Sequence, residues 1–309
     1  MITTLLLMSS VLAQDPAPAA KPILPIYDEA ADARQQVADA VTRAAKEERR
    51  VLIVWGANWC GSCKQLEHQM KGASAADATD ADKRLGKLLM NEFEVVHLDV
   101  GHFDKNIDLV RKWRADVSGG IPALTILNGE GKVVANQDNA AVSALTKNNE
   151  VGPFADFLDS KKAAPVDAGK RLDAALAQAR ESGRAVFLHF GAPWCAKCRV
   201  LDAWCADPAV APLLGKDFVE VKIDVDRMTG GNELMKRYRA DGADAIPWYA
   251  VLDADGKALA TSDEPAEKAA APTELEEVVR FAAVLRNGVK RLTPDELSSL
   301  ATSFANRGK

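Results

Sequence analysis

One motif occurs twice in this chain of 309 residues, and that duplication dictates two equivalent structural units. Trp59-Cys60-Gly61-Ser62-Cys63 is matched by Trp194-Cys195-Ala196-Lys197-Cys198. Each copy follows an apolar run of strand type, Val51–Trp55 or Ala185–Phe190. Downstream, Val96–Val100 answers Val221–Val225, and Gly120-Ile121-Pro122-Ala123 answers Ala245-Ile246-Pro247-Trp248. Pro122 lies 23 residues after Asp99, and Pro247 lies 23 residues after Asp224. Asp99 follows Cys60 by 39 residues but Asp224 follows Cys195 by only 29, so the first copy holds ten extra residues before its second strand. The small, polar segment 71–80 is predicted to carry that surplus as a surface loop.

Each copy opens with an amphipathic helix, marked by Val37, Val41, Ala44 and Ala45 in one and Leu172, Ala175, Leu176 and Ala179 in the other. A helix, strand, helix, strand, helix order follows. Each copy then ends in a hairpin that starts at its proline, with turns at 128–131 and 253–256, and a last helix. A βαβ unit followed by a hairpin makes a mixed sheet with helices on both faces, so the predicted class is α/β. Asp253-Ala254-Asp255-Gly256 resembles the start of a calcium loop but lacks the later Glu, and is read as a turn. Thr293-Pro294-Asp295-Glu296 is a capping box with Pro at the first helical position, so a further helix starts there and is expected to pack outside the second unit.

Residues 1–13 are almost wholly apolar and end in Val11-Leu12-Ala13, which reads as a signal peptide, although no basic residue precedes the apolar stretch. The stretch is too short to span a bilayer. Residues 14–25 form a Pro/Ala-rich tether. The domains are expected at 26–160 and 168–290, joined by a linker at 161–167 and followed by a helix and tail at 291–309. The expected location is outside the cytoplasm, in the periplasm or medium, where thiols meet an oxidising environment. Lys and Arg number 39 against 44 Asp and Glu, a net charge of -5, and without a basic surplus nucleic acid is not an expected partner. Five cysteines are too few for a disulfide framework, and four of them form two Cys-x-x-Cys pairs, so they are read as working residues.

A Trp-Cys-x-x-Cys at a strand end, followed by Ile-Pro before a hairpin, resembles thioredoxin, over residues 28–160 and again over 167–287. The resemblance implies two consecutive thioredoxin-like domains and a thiol:disulfide oxidoreductase. Cys60 and Cys195 would be the nucleophiles, and Cys63 and Cys198 would resolve the mixed disulfide. It also implies that Pro122 and Pro247 are cis and face the cysteine pairs. Ile121 and Ile246 would offer backbone groups to a substrate strand, with Trp59 and Trp194 also in the substrate-contacting set. No separate cofactor is implied, because the Cys60–Cys63 and Cys195–Cys198 disulfides are themselves the electron carriers. The partners would be protein disulfides or dithiols and a redox partner that resets the pairs.

The chemistry supports this independently. A cysteine at a helix N-terminus faces unpaired N–H groups and the positive end of the dipole, which favour a thiolate. Lowering a thiol pKa from about 8.5 to about 7 raises the ionised fraction at neutral pH from about 3% to about half. Nucleophilicity falls with pKa, so the attack rate gains only a few-fold; the larger benefits are a good leaving thiolate and a resolving thiol held in place.

The buried acid that thioredoxin carries on the strand entering the motif aligns here with Val54 and His189. His189 is therefore a candidate for proton transfer at the second pair; a core histidine hydrogen-bonded to backbone is the competing reading. Lys64, Lys197 and Arg199 add positive charge beside the pairs or form a solvated helix face. Cys205 is read as a buried thiol or a third redox cysteine, and Trp248 as a substrate contact or a core residue. His68, His97 and His102 show no ligand spacing, so no metal site is expected. Two other functional readings remain open: a thioredoxin-fold scaffold with regulatory cysteines, and a carrier of a soft ion such as Cu(I).

Overall fold

In the computed structural model the described residues are 25–239, 245–263 and 274–307. The expected signal peptide at 1–13 and nearly all of the tether at 14–25 lie outside them.

Asp32 caps the first helix, α1 (Ala33–Lys46), by accepting from the N–H groups of Arg34 and Gln35. The helix buries Ala33, Val37, Ala40 and Ala44, whereas Ala45 is exposed. The remaining elements of the first domain are β1 (Arg50–Gly56), α2 (Gly61–Met70), α3 (Asp80–Glu92), β2 (Phe93–Asp99), α4 (Ile107–Lys112), β3 (Ala123–Leu127), β4 (Val133–Gln137), α5 (Asn139–Leu145) and α6 (Gly152–Lys161). The second domain has α7 (Ala168–Ser182), β5 (Ala185–Gly191), α8 (Ala196–Ala206), α9 (Ala211–Asp217), β6 (Phe218–Asp224), α10 (Gly231–Tyr238), β7 (Trp248–Leu252), β8 (Ala258–Thr261), α11 (Glu274–Arg286) and α12 (Pro294–Ala305).

The two sheets have the same order, β2-β1-β3-β4 and β6-β5-β7-β8. In each, the first pairing is parallel and the other two are antiparallel. The central strands β1 and β5 are covered on both faces, which is why they read as continuous apolar runs rather than alternating ones. Val51, Ile53 and Trp55 pack toward α1 and α4, and Leu52 and Val54 pack toward α2, α3 and α6. The turns at 128–131 and 253–256 form as expected, with Gly131 and Gly256 at φ 73° and 84° and the Asn128 and Asp253 side chains accepting backbone N–H groups.

Three expectations need correcting. Two helices, not one, separate the first two strands of each domain. The ten-residue surplus is shared between the segment after α2 and a longer helix, since α3 has 13 residues and its counterpart α9 has 7. A short 3-10 turn at Gly72–Ser74 occupies part of the expected loop, and Asp80 already belongs to α3. Finally, α12 does not pack outside. Its capping box forms at Thr293 and Glu296, but its apolar face enters the core of the second domain. Phe304 stacks on Phe281 at 3.7 Å and meets Trp204 edge-on at 5.2 Å. Each such side chain contributes on the order of 1.5–3 kcal/mol through burial.

The loop after β6 docks on the first domain. Arg227, nearly buried, donates to the carbonyls of Glu47 and Glu48 at 2.9 Å each and pairs with Glu92 at 3.2 Å. Arg171 pairs with Glu48 alongside. No helix among the described residues is long and apolar enough to cross a membrane.

Candidate functional site

Both cysteine pairs crown a helix. Cys60 is the N-cap of α2 and Cys195 the N-cap of α8, and each sulfur accepts the N–H of its partner, Cys63 or Cys198, at 3.1 Å. Helix N-termini leave such N–H groups free, so the sequence places its first cysteine where a sulfur anion is stabilised. The pairs are joined as disulfides with Cα separations of 5.3 and 5.2 Å. In each, the first cysteine is the more accessible, 5% for Cys60 and 7% for Cys195 against 1% for Cys63 and Cys198.

The Ile121–Pro122 and Ile246–Pro247 peptide bonds are cis. The Ile121 carbonyl oxygen lies 3.6 Å from Cys60 Sγ, and that of Ile246 lies 3.8 Å from Cys195 Sγ. Trp59 and Trp194 flank the pairs and are half exposed, at 50% and 52%. Their indole N–H groups are anchored at equivalent positions, Trp59 to the Gly101 carbonyl at 2.8 Å and Trp194 to the Asp226 carboxylate at 2.7 Å. His102 stacks on Trp59 at 5.2 Å. Trp194 and Asp226 also border an apolar cleft whose opposite wall is Lys87, Leu89 and Met90 of α3.

Three residues in this site were not read from the sequence. Gly56 and Gly191 end the central strands directly beneath the second cysteine of each pair. A Cβ on Gly191 would stand 3.0 Å from Cys198 Cβ. One on Gly56 would stand 2.1 Å from the Tyr27 hydroxyl oxygen and 2.9 Å from Cys63 Sγ. Tyr27, the other unread residue, is fully buried, and its hydroxyl has no hydrogen-bond partner among the described residues. Burial, together with the charges of Glu67 and Asp99, pushes its pKa up. The hydroxyl and Cys63 Sγ face the same gap over Gly56. A small residue closing a strand, and a tyrosine far upstream, carry no local sign of this meeting.

The aligned positions for thioredoxin's buried acid hold what the spacing implied, Val54 buried and His189 buried. His189 does not bond to backbone: its Nε2 is 2.6 Å from Glu220 Oε1, and its Nδ1 is 3.7 Å from Asp202 Oδ1. In the first domain Glu67 on α2 bonds His97 at 2.8 Å, and this bond, with the one to Lys71, holds its carboxyl down to about 2. The second domain repeats the contact at equivalent positions as Asp202–Lys222, at 2.6 Å. Lys64 and Lys197 are exposed, and Arg199 donates to the Pro193 carbonyl in the motif loop. Trp248 is no substrate contact: it is 1% exposed, packs on Phe190 at 5.7 Å and donates to Asp263. Cys205 is a buried free thiol.

No curated protein matches the chain. Among solved structures, a disulphide isomerase from Xylella fastidiosa Temecula1 is 31% identical over 45% of this chain and 98% of its own, with a TM-score of 0.36. The DsbD C-terminal domain of Neisseria meningitidis in the oxidised form is 26% identical over 32% of this chain and 84% of its own, with a TM-score of 0.25. The first two thioredoxin domains of Naumovozyma dairenensis Eps1p are 14% identical over 95% of this chain and 99% of their own, with a TM-score of 0.23. A thioredoxin-like family model matches residues 32–129 and 167–254. The chain thus belongs to the thioredoxin-like family through both of its domains.

Proposed function

We propose that the protein is an exported thiol:disulfide oxidoreductase that acts on protein disulfides or dithiols at two sites. The observation that carries this reading is the same in both domains: an N-capping cysteine sulfur beside the carbonyl of the residue before a cis proline. A client main chain that pairs with Ile121 or Ile246 would present its disulfide to that sulfur.

In the reducing direction, the Cys60 thiolate attacks one client sulfur and the other client sulfur leaves as a thiolate. Cys63, deprotonated, then attacks Cys60 Sγ. The Cys60–Cys63 bond forms, the second client thiolate leaves, and two electrons have passed to the client. Cys195 and Cys198 do the same in the second domain. A redox partner must return two electrons to each pair, and the reverse sequence oxidises a client dithiol. In the first domain the Tyr27 hydroxyl donates to Cys63 sulfur once the bridge opens; in the second, His189, with no cation bound to it, carries the resolving thiol's proton. Insulin reduction and refolding of scrambled ribonuclease by wild type, Cys60→Ser and Cys195→Ser test this. Stepwise loss in the variants is expected, and equal behaviour of all three would leave a thioredoxin-fold scaffold instead.

A further inference from the structure

Three positions that are apolar in the first domain carry metal-donor side chains in the second. Val54, Met70 and Val95 pack together in one apolar cluster on the face of the sheet beneath α2. Matching the strands and the helix residue by residue, their counterparts are His189 on β5, Cys205 on α8 and Glu220 on β6. The imidazole nitrogen, the thiol sulfur and a carboxylate oxygen of this trio all lie within 4.8 Å of one another. The first domain demonstrates that the fold fills this place with hydrocarbon. A stability requirement therefore does not account for three donors of three kinds arriving together.

We propose that His189, Cys205 and Glu220 form a binding site for a zinc-class divalent cation, with Asp202 supporting the imidazole from behind. Bond lengths of about 2.0–2.3 Å to N, O and S put the donor atoms of one tetrahedral ion about 3.3–3.6 Å apart. The His189 Nε2 to Glu220 Oε1 separation of 2.6 Å opens by less than an ångström, on the order of one bond adjustment, to admit the ion. The ion replaces the proton between those two atoms, and the Cys205 thiol releases its proton to solvent. Nδ1 then faces Asp202, the carboxylate–histidine–metal arrangement that fixes a ligating ring. Glu220 and Asp202 place two carboxylates beside His189, and Glu220 also reaches the Cys205 thiol. The same two carboxylates attract a divalent ion. A solvent opening lined by Cys205, Leu214, Phe218 and Glu220 supplies the entry path and leaves room for a water as fourth ligand.

The test uses the full chain with both Cys-x-x-Cys pairs oxidised, so that Cys205 is its one free thiol and binding is read without exchange activity. Cobalt(II) is expected to give a thiolate charge-transfer band that saturates at one ion per chain and is bleached by zinc. Cys205→Ser should abolish the band, and Asp202→Asn should weaken cobalt binding about 10- to 100-fold. The triple variant His189→Val, Cys205→Met, Glu220→Val installs the first domain's own residues; it should fold, as judged by circular dichroism, and bind nothing. Absence of the band in oxidised wild type at saturating cobalt, or its persistence in Cys205→Ser, overturns the proposal.

Discussion

Tyr27→Phe removes one oxygen atom from the wall of the first redox site. In the oxidised protein that hydroxyl is buried without a partner among the described residues, facing a disulfide sulfur, and an unsatisfied buried hydroxyl costs about 1–3 kcal/mol. Phenylalanine is therefore expected to leave the oxidised form no less stable. By the proposed mechanism the hydroxyl donates to the Cys63 thiolate in the reduced protein, and a hydrogen bond to a charged group contributes about 1.5–3 kcal/mol. Both effects favour the oxidised state of the variant. At about 30 mV per 1.4 kcal/mol, the hydrogen bond alone makes the potential of the first pair about 30–65 mV more negative. The assay equilibrates the protein in a glutathione series, traps thiols by alkylation and reads the Cys60–Cys63 and Cys195–Cys198 peptides by mass spectrometry. The second pair, which lies in the other domain, is the internal reference. An unmoved or less negative potential at the first pair refutes the donor role of Tyr27.

Glu67 is held from its ordinary value of 4.5 to about 2, chiefly by His97, so its contribution is present above pH 4.5 and is lost as pH falls toward 2. Glu67→Gln should cost about 1–3 kcal/mol in urea unfolding at pH 7 and almost nothing near pH 2; an equal cost at both would contradict the pairing. For His189→Gln, studied in chelator-treated protein, the pH dependence of exchange should change at the second pair alone, and an unchanged profile would remove His189 from proton transfer. Gly56→Ala should destabilise by about 1–3 kcal/mol, because a Cβ 2.1 Å from the Tyr27 hydroxyl oxygen overpacks the core. Gly191→Ala should cost less, its nearest contact being 3.0 Å, as thermal unfolding of the two variants would reveal; the opposite order would contradict this packing.

What could be read from the sequence was whatever is local or repeated. The buried face of α7, with Leu172, Ala175, Leu176 and Ala179, follows from its periodicity. The Asn128 and Asp253 turns follow from their own glycines. On α1 the apolar stripe ends in alanines, too small to define its edge, and Ala45 falls on the solvent side. The capping box at Thr293 announces where α12 starts but not what it covers, because Phe281 and Trp204 reach it only through the tertiary fold. Tyr27 meets Cys63, and His189 meets Glu220 and Cys205, across separate elements, so no spacing rule connects them.

The lengthened α3 gives the duplication a direction. The C-terminal part of α3, with Lys87, Leu89 and Met90, stands as a wall beside the neighbouring half's Trp194, while Arg227 fastens the two together. The halves are accordingly not interchangeable: a chain rebuilt with their order reversed would keep both dithiols and take α3 away from Trp194.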